Sequence, residues 1–188
     1  MNVAGFADMT KEEVLAEFEH GFTMVAGDEG TVEAVDVADY ILKTHGPMEK
    51  IRLQKTLYYC QAVSLAILRR PLFGDPIEAW SMGPVVRNVR DRWLVKDGQN
   101  RHLIYAVTGG DGSLLTEQEQ AAVDLTMAAL KDRGKWDLVD ASHADQAWKH
   151  ARERAGAGPT DSADAVMHLD DIARSFVPGL HDLVAHPD

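Results

Sequence analysis

The chain has 188 residues, 45% of them hydrophobic and 26% charged, with one cysteine and a formal net charge of −11. Such values suit one folded domain with or without an extension and exclude a disordered chain; no apolar run nears the roughly 20 residues that cross a bilayer, and residues 1–9 lack the basic and apolar regions of a secretory signal. A lone Cys60 excludes an intrachain disulfide and a cysteine-rich zinc module, and fits a reducing, cytoplasmic setting.

The charge is unevenly spread. Residues 1–31 carry net −6, residues 32–105 net +3 and residues 106–188 net −8. An acidic chain is a poor general ligand for nucleic acid, because phosphate neutralisation supplies most of that affinity. A basic protein partner is easier to accommodate, and the plainest use of the charge is solubility.

In chain order, residues 10–22 are predicted as a short helix. Thr10 and Glu13 make a capping box, and Val14, Leu15, Phe18 and Phe22 form an apolar stripe. Gly27–Gly30 breaks it, and a stretch this short cannot bury a core alone. Thr31 is placed to cap a second helix over 32–44, with Val35, Ala38, Ile41 and Leu42 on one face and Gly46-Pro47 beyond its end. A long helix over 49–69 follows. Leu53, Leu57, Cys60, Ser64 and Leu68 line one side and further apolar residues widen it, which is the pattern of a central buried helix.

Residues 77–80 read as a strand between Pro and Gly. Gly83-Pro84 reads as a turn opening a helix over 85–96, with Val85, Val86, Val89 and Trp93 on one side and Arg87, Arg90 and Arg92 mainly on the other. Residues 102–107 are the second strand candidate, placed to pair with the first in a small ribbon. Residues 109–112 are a loop. Thr116 and Glu119 form a capping box ahead of a helix over 117–133, and 136–141 is a short helix or turn. Ser142 and Asp145 then start a helix through Arg154, residues 155–162 have linker composition, and a last helix over 166–177 ends at Pro178-Gly179.

The chemistry-bearing residues are few. His143 and His150 lie two helical turns apart, too far to share an ion without a third element. Cys60, in the most apolar helix, is expected to be inert packing. No G-x-S-x-G elbow, H-E-x-x-H motif or phosphate loop occurs. No cofactor or metal is expected, and no enzyme. The basic residues Arg87, Arg90, Arg92, Lys96 and Arg101 could present one face to DNA or to an acidic protein surface, but the flanking acidic segments disfavour DNA.

Three segments, VADYIL, IRLQKTLYYCQAVSLAI and PLFGDPIEAWSMGPVV, together resemble the Panacea domain, the SocA-like antitoxin domain. The matching residues are Val37, Ala38, Tyr40 and Leu42; Leu53, Gln54, Lys55, Leu57, Tyr58, Gln61 and Leu65; and Glu78, Ala79, Trp80, Gly83, Pro84 and Val85. SHADQAW, with Ser142, His143 and Trp148, is similar to the family's H-x-x-x-x-W segment. The likeness covers residues 32–178. Thr56, Tyr59, Met82 and Arg90 depart from the family pattern, and the last two are expected on the surface.

The elements add up to a mainly α domain with a small two-stranded β-ribbon over 32–178, behind an acidic extension at 1–31 and before a tail at 179–188, and the resemblance likewise implies a mostly helical scaffold. It also implies an antitoxin that neutralises a cognate toxin protein by direct contact. Gln54, Lys55, Glu78, Trp80, Met82, Gly83, Pro84, Arg87 and Arg90 are the candidate toxin-binding residues. For Lys55, Glu78 and Gln61 the alternative is an internal polar network joining helix and ribbon. The alternatives for function are a DNA-binding regulator using the Arg87 to Arg101 region and an adaptor that presents the toxin to a protease. Steric blocking by the acidic extension is one route to neutralisation, and self-association is left open.

Overall fold

A computed structural model describes residues 32–95, 102–158, 160–161 and 163–184. The helix expected over 10–22 lies outside the described residues. The first described helix, α1, spans Ala34–His45. Its cap is Glu33 rather than Thr31, because the Asp36 carboxylate reaches back to accept from the Glu33 N–H at 2.9 Å. Gly46 follows with φ 85°, as the sequence predicts for a helix end.

Helix α2, Lys50–Ile67, is the axis of the molecule, since 15 of its 18 residues are buried. Leu53, Leu57, Cys60 and Leu65 are wholly enclosed, as the wide apolar arc required. Polar Gln54, Lys55, Thr56, Gln61 and Ser64 are enclosed too. Burial of so many polar groups obliges each to find a partner.

Among the described residues the β structure is three two-stranded antiparallel sheets, so the fold is mainly α with minor β, as expected. The strand pairing is not the expected one. Strand β2, Ile77–Trp80, pairs with β3, Gly83–Val86, across the two-residue loop Ser81-Met82. Gly83 therefore continues a hairpin instead of opening a helix; its φ of 88° supplies the left-handed residue needed to reverse the chain. Pro84 is tolerated in the strand because Ala79 opposite it sends its own N–H the other way, to the Ala165 carbonyl at 2.7 Å.

Only Arg87–Arg90 is then helical, as the single turn α3. The remainder of the expected 85–96 helix becomes β4, Trp93–Leu94, which pairs with β6, Ala106–Val107. The expected 102–107 strand is split: β5, Leu103–Ile104, pairs with β1, Met48–Glu49. Short strands with little sequence between them offer several pairings, and the core selects among them.

Helix α4, Glu117–Ala129, ends a turn earlier than expected but opens on the predicted capping box. Its Thr116 N–H donates to Glu119 Oε2 at 2.8 Å and its Glu119 N–H to Thr116 Oγ1 at 3.4 Å. Helix α5, Lys135–Ala144, takes in Ser142, so Asp145 alone caps α6, Gln146–Arg154, accepting from the Ala147 N–H at 2.8 Å. Residues 163–167 are extended, not helical. Met167 donates its N–H to the Ile77 carbonyl at 2.8 Å, so this segment lies along the outer edge of β2. Helix α7, Leu169–Val184, starts later and runs through Pro178-Gly179. A proline removes one backbone bond but does not forbid helix on both sides of it. Helices α4, α5 and α7 and strand β3 all pack on α2.

Candidate functional site

The α2 motif, the EAWSMGPVV motif and Trp148 of the SHADQAW motif meet at the β2–β3 hairpin. From below, α2 presents three polar side chains to the backbone of the returning chain. The Gln54 amide completes Val86 as a strand neighbour would: its Oε1 accepts from the Val86 N–H at 2.7 Å and its Nε2 donates to the Val86 carbonyl at 3.2 Å. Lys55 Nζ donates to the Pro84 carbonyl at 3.1 Å. One turn and a half on, Gln61 Oε1 accepts from the N–H groups of Leu72 and Phe73 at 2.9 and 3.2 Å, and its Nε2 donates to the Phe73 carbonyl at 3.1 Å. Glutamine suits this task because one amide both donates and accepts.

Burial drives the Lys55 ammonium down to about 7. Its Nζ lies under Gly83, where a Cβ would come within 2.7 Å of it and 2.5 Å of Ser142 Oγ. Gly83 is thus required twice, by its φ and by the close approach of the helix below. Ser142 Oγ donates to the Val139 carbonyl at 2.8 Å and is committed to its own helix.

From the side, α6 holds the other strand. Trp148 Nε1 donates to the Trp80 carbonyl at 2.9 Å, and Arg152 Nη1 to the Ala79 carbonyl at 2.7 Å. Arg152 also donates from Nη2 to the carbonyls of Asp161, at 2.7 Å, and Gly158. The linker-like stretch is thereby tied down. His143 stacks on Trp148 with centroids 4.5 Å apart. Burial and the Lys55 charge lower its pKa despite a hydrogen bond to the Ser81 backbone.

On the outer side, Glu78 accepts from Trp80 Nε1 at 2.6 Å and from Arg87 Nε and Nη2 at 3.0 and 2.8 Å. Burial alone would raise the Glu78 carboxyl, but these donors outweigh it and hold it below the usual range. Arg87 also pairs with Asp164 at 2.7 Å. The guanidinium carbons of Arg87 and Arg90 sit 5.3 and 5.0 Å from the Trp80 ring centre. Met82, at the hairpin tip, is 43% exposed.

The nine candidate residues therefore divide into two groups. Trp80, Met82, Arg87 and Arg90 show an aromatic, sulfur and guanidinium face to solvent, and Met82 and Arg90 are surface residues as expected. Gln54, Lys55, Glu78, Gly83 and Pro84 lie behind it, buried, and hold the hairpin. The expected network joining Lys55, Glu78 and Gln61 is not formed as one unit: Lys55 and Gln61 clamp separate backbone stretches, while Glu78 serves the outer face. Arg152 escaped the sequence reading, and so did the contacts Asp145 makes beyond its role as a helix cap. Asp145 accepts from Tyr58 Oη and Ser175 Oγ, which joins α2, α6 and α7. The signal for Arg152 was its place four residues after Trp148, on the same helix face.

The remaining chemistry is quiet. Cys60 is enclosed and burial pushes its thiol up to about 12. Among the described residues no group of three His, Cys, Asp or Glu side chains could hold a metal ion. The described arginines of the basic stretch are ion-paired: Arg87 as above, Arg90 with Asp91 at 3.3 Å and Arg92 with Glu33 at 3.3 Å. Lys96 and Arg101 lie outside the described residues. Among the described residues no helix is long and apolar enough to cross a membrane.

No curated protein and no solved structure matches this chain. A family model, antitoxin SocA-like, Panacea domain, matches residues 53–149, just over half of the chain. That span opens on the α2 clamp and closes one residue after Trp148, taking in the whole hairpin with Gln54, Lys55 and Trp148 that hold it: the chain belongs to the SocA-like antitoxin family, built on the Panacea domain.

Proposed function

We propose that this protein is a cytoplasmic antitoxin that neutralises one cognate toxin protein by direct binding through the face formed by Trp80, Met82, Arg87 and Arg90. The observation that carries this reading is a rigid hairpin whose backbone is clamped from below and from the side while its tip stays exposed. Such a surface is organised before binding, so little ordering entropy is lost on association. Tryptophan and arginine are the residue types that dominate interface energetics. Gln54, Lys55, Glu78, Gly83 and Pro84 act through the hairpin they support. Residues 1–31, net −6, supply acidic charge suited to a basic area of the toxin separate from the area that meets Arg87 and Arg90.

The test is co-expression with the protein encoded beside it, scored by host growth and by pull-down. The variants Met82→Glu and Arg90→Glu replace exposed side chains and leave the fold intact. Each is expected to weaken toxin capture at least tenfold, with an unchanged melting temperature. Full neutralisation by both variants together would remove this face from the interface.

A further inference from the structure

We infer that the cleft between α4 and the β1–β5 ribbon binds a small apolar carboxylate, a compound with a hydrocarbon body and one acid group. Its volume is about 520 Å³, within the range of about 300–1,000 Å³ typical of clefts that enclose a ligand. Asp124, Met127 and Ala128 line it from α4, and Lys131 follows just past the helix end. Offsets of three, four and seven residues put these on one side of the helix. Met48, Glu49 and Leu103 line it from the ribbon, where Glu49 and Leu103 stand opposite each other, and Pro47 from the turn before. His45, at the end of α1, and Arg52, in the first turn of α2, complete the lining. None of these residues belongs to the hairpin or to its clamps, so the cleft is separate from the proposed toxin-binding face.

The charges of the lining do not cancel, because both acids are already engaged. Glu49 pairs with Lys135 at 2.6 Å. Asp124 meets His45 Nε2 at 2.9 Å and accepts from Tyr40 Oη at 3.0 Å. Arg52 donates from Nη2 to the Leu130 carbonyl at 2.7 Å and from Nη1 to the Arg133 carbonyl, so neutral groups hold it in place and its charge remains. Among the described residues no carboxylate pairs with Arg52 or Lys131. The cleft therefore keeps a positive potential in a chain of net −11. Lys131 is exposed, and its long stem lets the ammonium meet an anion at the mouth. A phosphate site gathers several convergent donors. Here Arg52 has committed its terminal nitrogens, which leaves Lys131 as the free charged donor, and one such donor suits a monoanion. The rest of the lining calls for hydrocarbon. Pro47, Met48, Leu103, Met127 and Ala128 carry no charge, and the two methionines adapt to bodies of different shape.

The test is titration of the full-length protein with sodium octanoate, followed by the methyl NMR signals of Met48 and Met127. Saturable shifts of both signals are expected. Binding of 1-octanol, which lacks the charge, should be weaker by about threefold or more, and acetate, which lacks the body, should shift neither signal. Lys131→Gln should weaken octanoate by the same factor as loss of the carboxylate does. Ala128→Trp, at an exposed position, should abolish the shifts by filling the cleft while the melting temperature stays unchanged. No saturable shift in the wild type would overturn the inference. Octanoate binding that survives Ala128→Trp would overturn it too, by placing the acid elsewhere, as would equal affinities for octanoate and octanol, which would remove the carboxylate from recognition. Displacement of octanoate by an equal concentration of inorganic phosphate would overturn the ligand class.

Discussion

Lys55 shows how a single side chain can be costly and still be required. Its ammonium is enclosed with the Pro84 carbonyl as its hydrogen-bond acceptor, and burial lowers its pKa to about 7. In the unfolded chain the same group titrates near ~10.4. Between these values the unfolded state holds the extra proton, so the Lys55 contribution makes stability rise with pH across that window. Below about pH 7 both states are protonated and the full desolvation cost is felt. Urea unfolding of wild type and Lys55→Met should therefore show the wild type gaining on the variant by about 2 kcal/mol from pH 7 to pH 9. A difference independent of pH would mean that Lys55 stays charged throughout. Gln54 and Gln61 are buried at no such cost, because each amide is neutral and meets both a donor and an acceptor.

At the scale of the element, the hairpin is defined less by its own four-residue strands than by what grips them. Two short strands alone are marginal in water. Here β3 is held by Gln54 and Lys55, β2 by Trp148 and Arg152, and the outer edge of β2 by residues 165–167. Gly83 is the point where this grip is tightest. Gly83→Ala should destabilise the protein by about 2 kcal/mol or more, from backbone strain plus displacement of Lys55 and Ser142. Gly156 gives the matched control: its φ is 65°, but nothing lies within 4 Å of an added Cβ. Gly156→Ala should then cost only about 1 kcal/mol of strain. Equal melting-temperature losses in the two variants would show that the close packing under Gly83 contributes nothing.

For the whole molecule, α2 is the common partner of the hairpin and of four helices, α1, α4, α5 and α7, so its middle should open only when everything does. Cys60 reports on this directly. Its thiol is enclosed, and its pKa is raised by burial. Labelling by a thiol-specific reagent in native buffer should proceed through global unfolding, and the free energy from the labelling rate should equal that from urea denaturation. Labelling faster than that would reveal a local opening of α2 that the packing does not suggest.

The sequence by itself determined the helical elements that carry long-period apolar patterns or a complete capping box: α1, α2 and α4 are where the spacing puts them. It also carried the family resemblance, through Gln54, Lys55, Gln61, Glu78, Trp80 and Gly83 in their order along the chain, all within the residues 53–149 that the family model matches. Only the tertiary structure decided which strands pair, since pieces of two to four residues hold too little local information to choose a partner. It also decided which motif residues face outward. Gln54 and Lys55 are polar, and a polar residue on a helix is ordinarily read as surface. These two are inside because the β3 backbone arrives from more than twenty-five residues away with carbonyls and an N–H that must be satisfied. That demand comes from another part of the chain, and no local pattern in α2 records it.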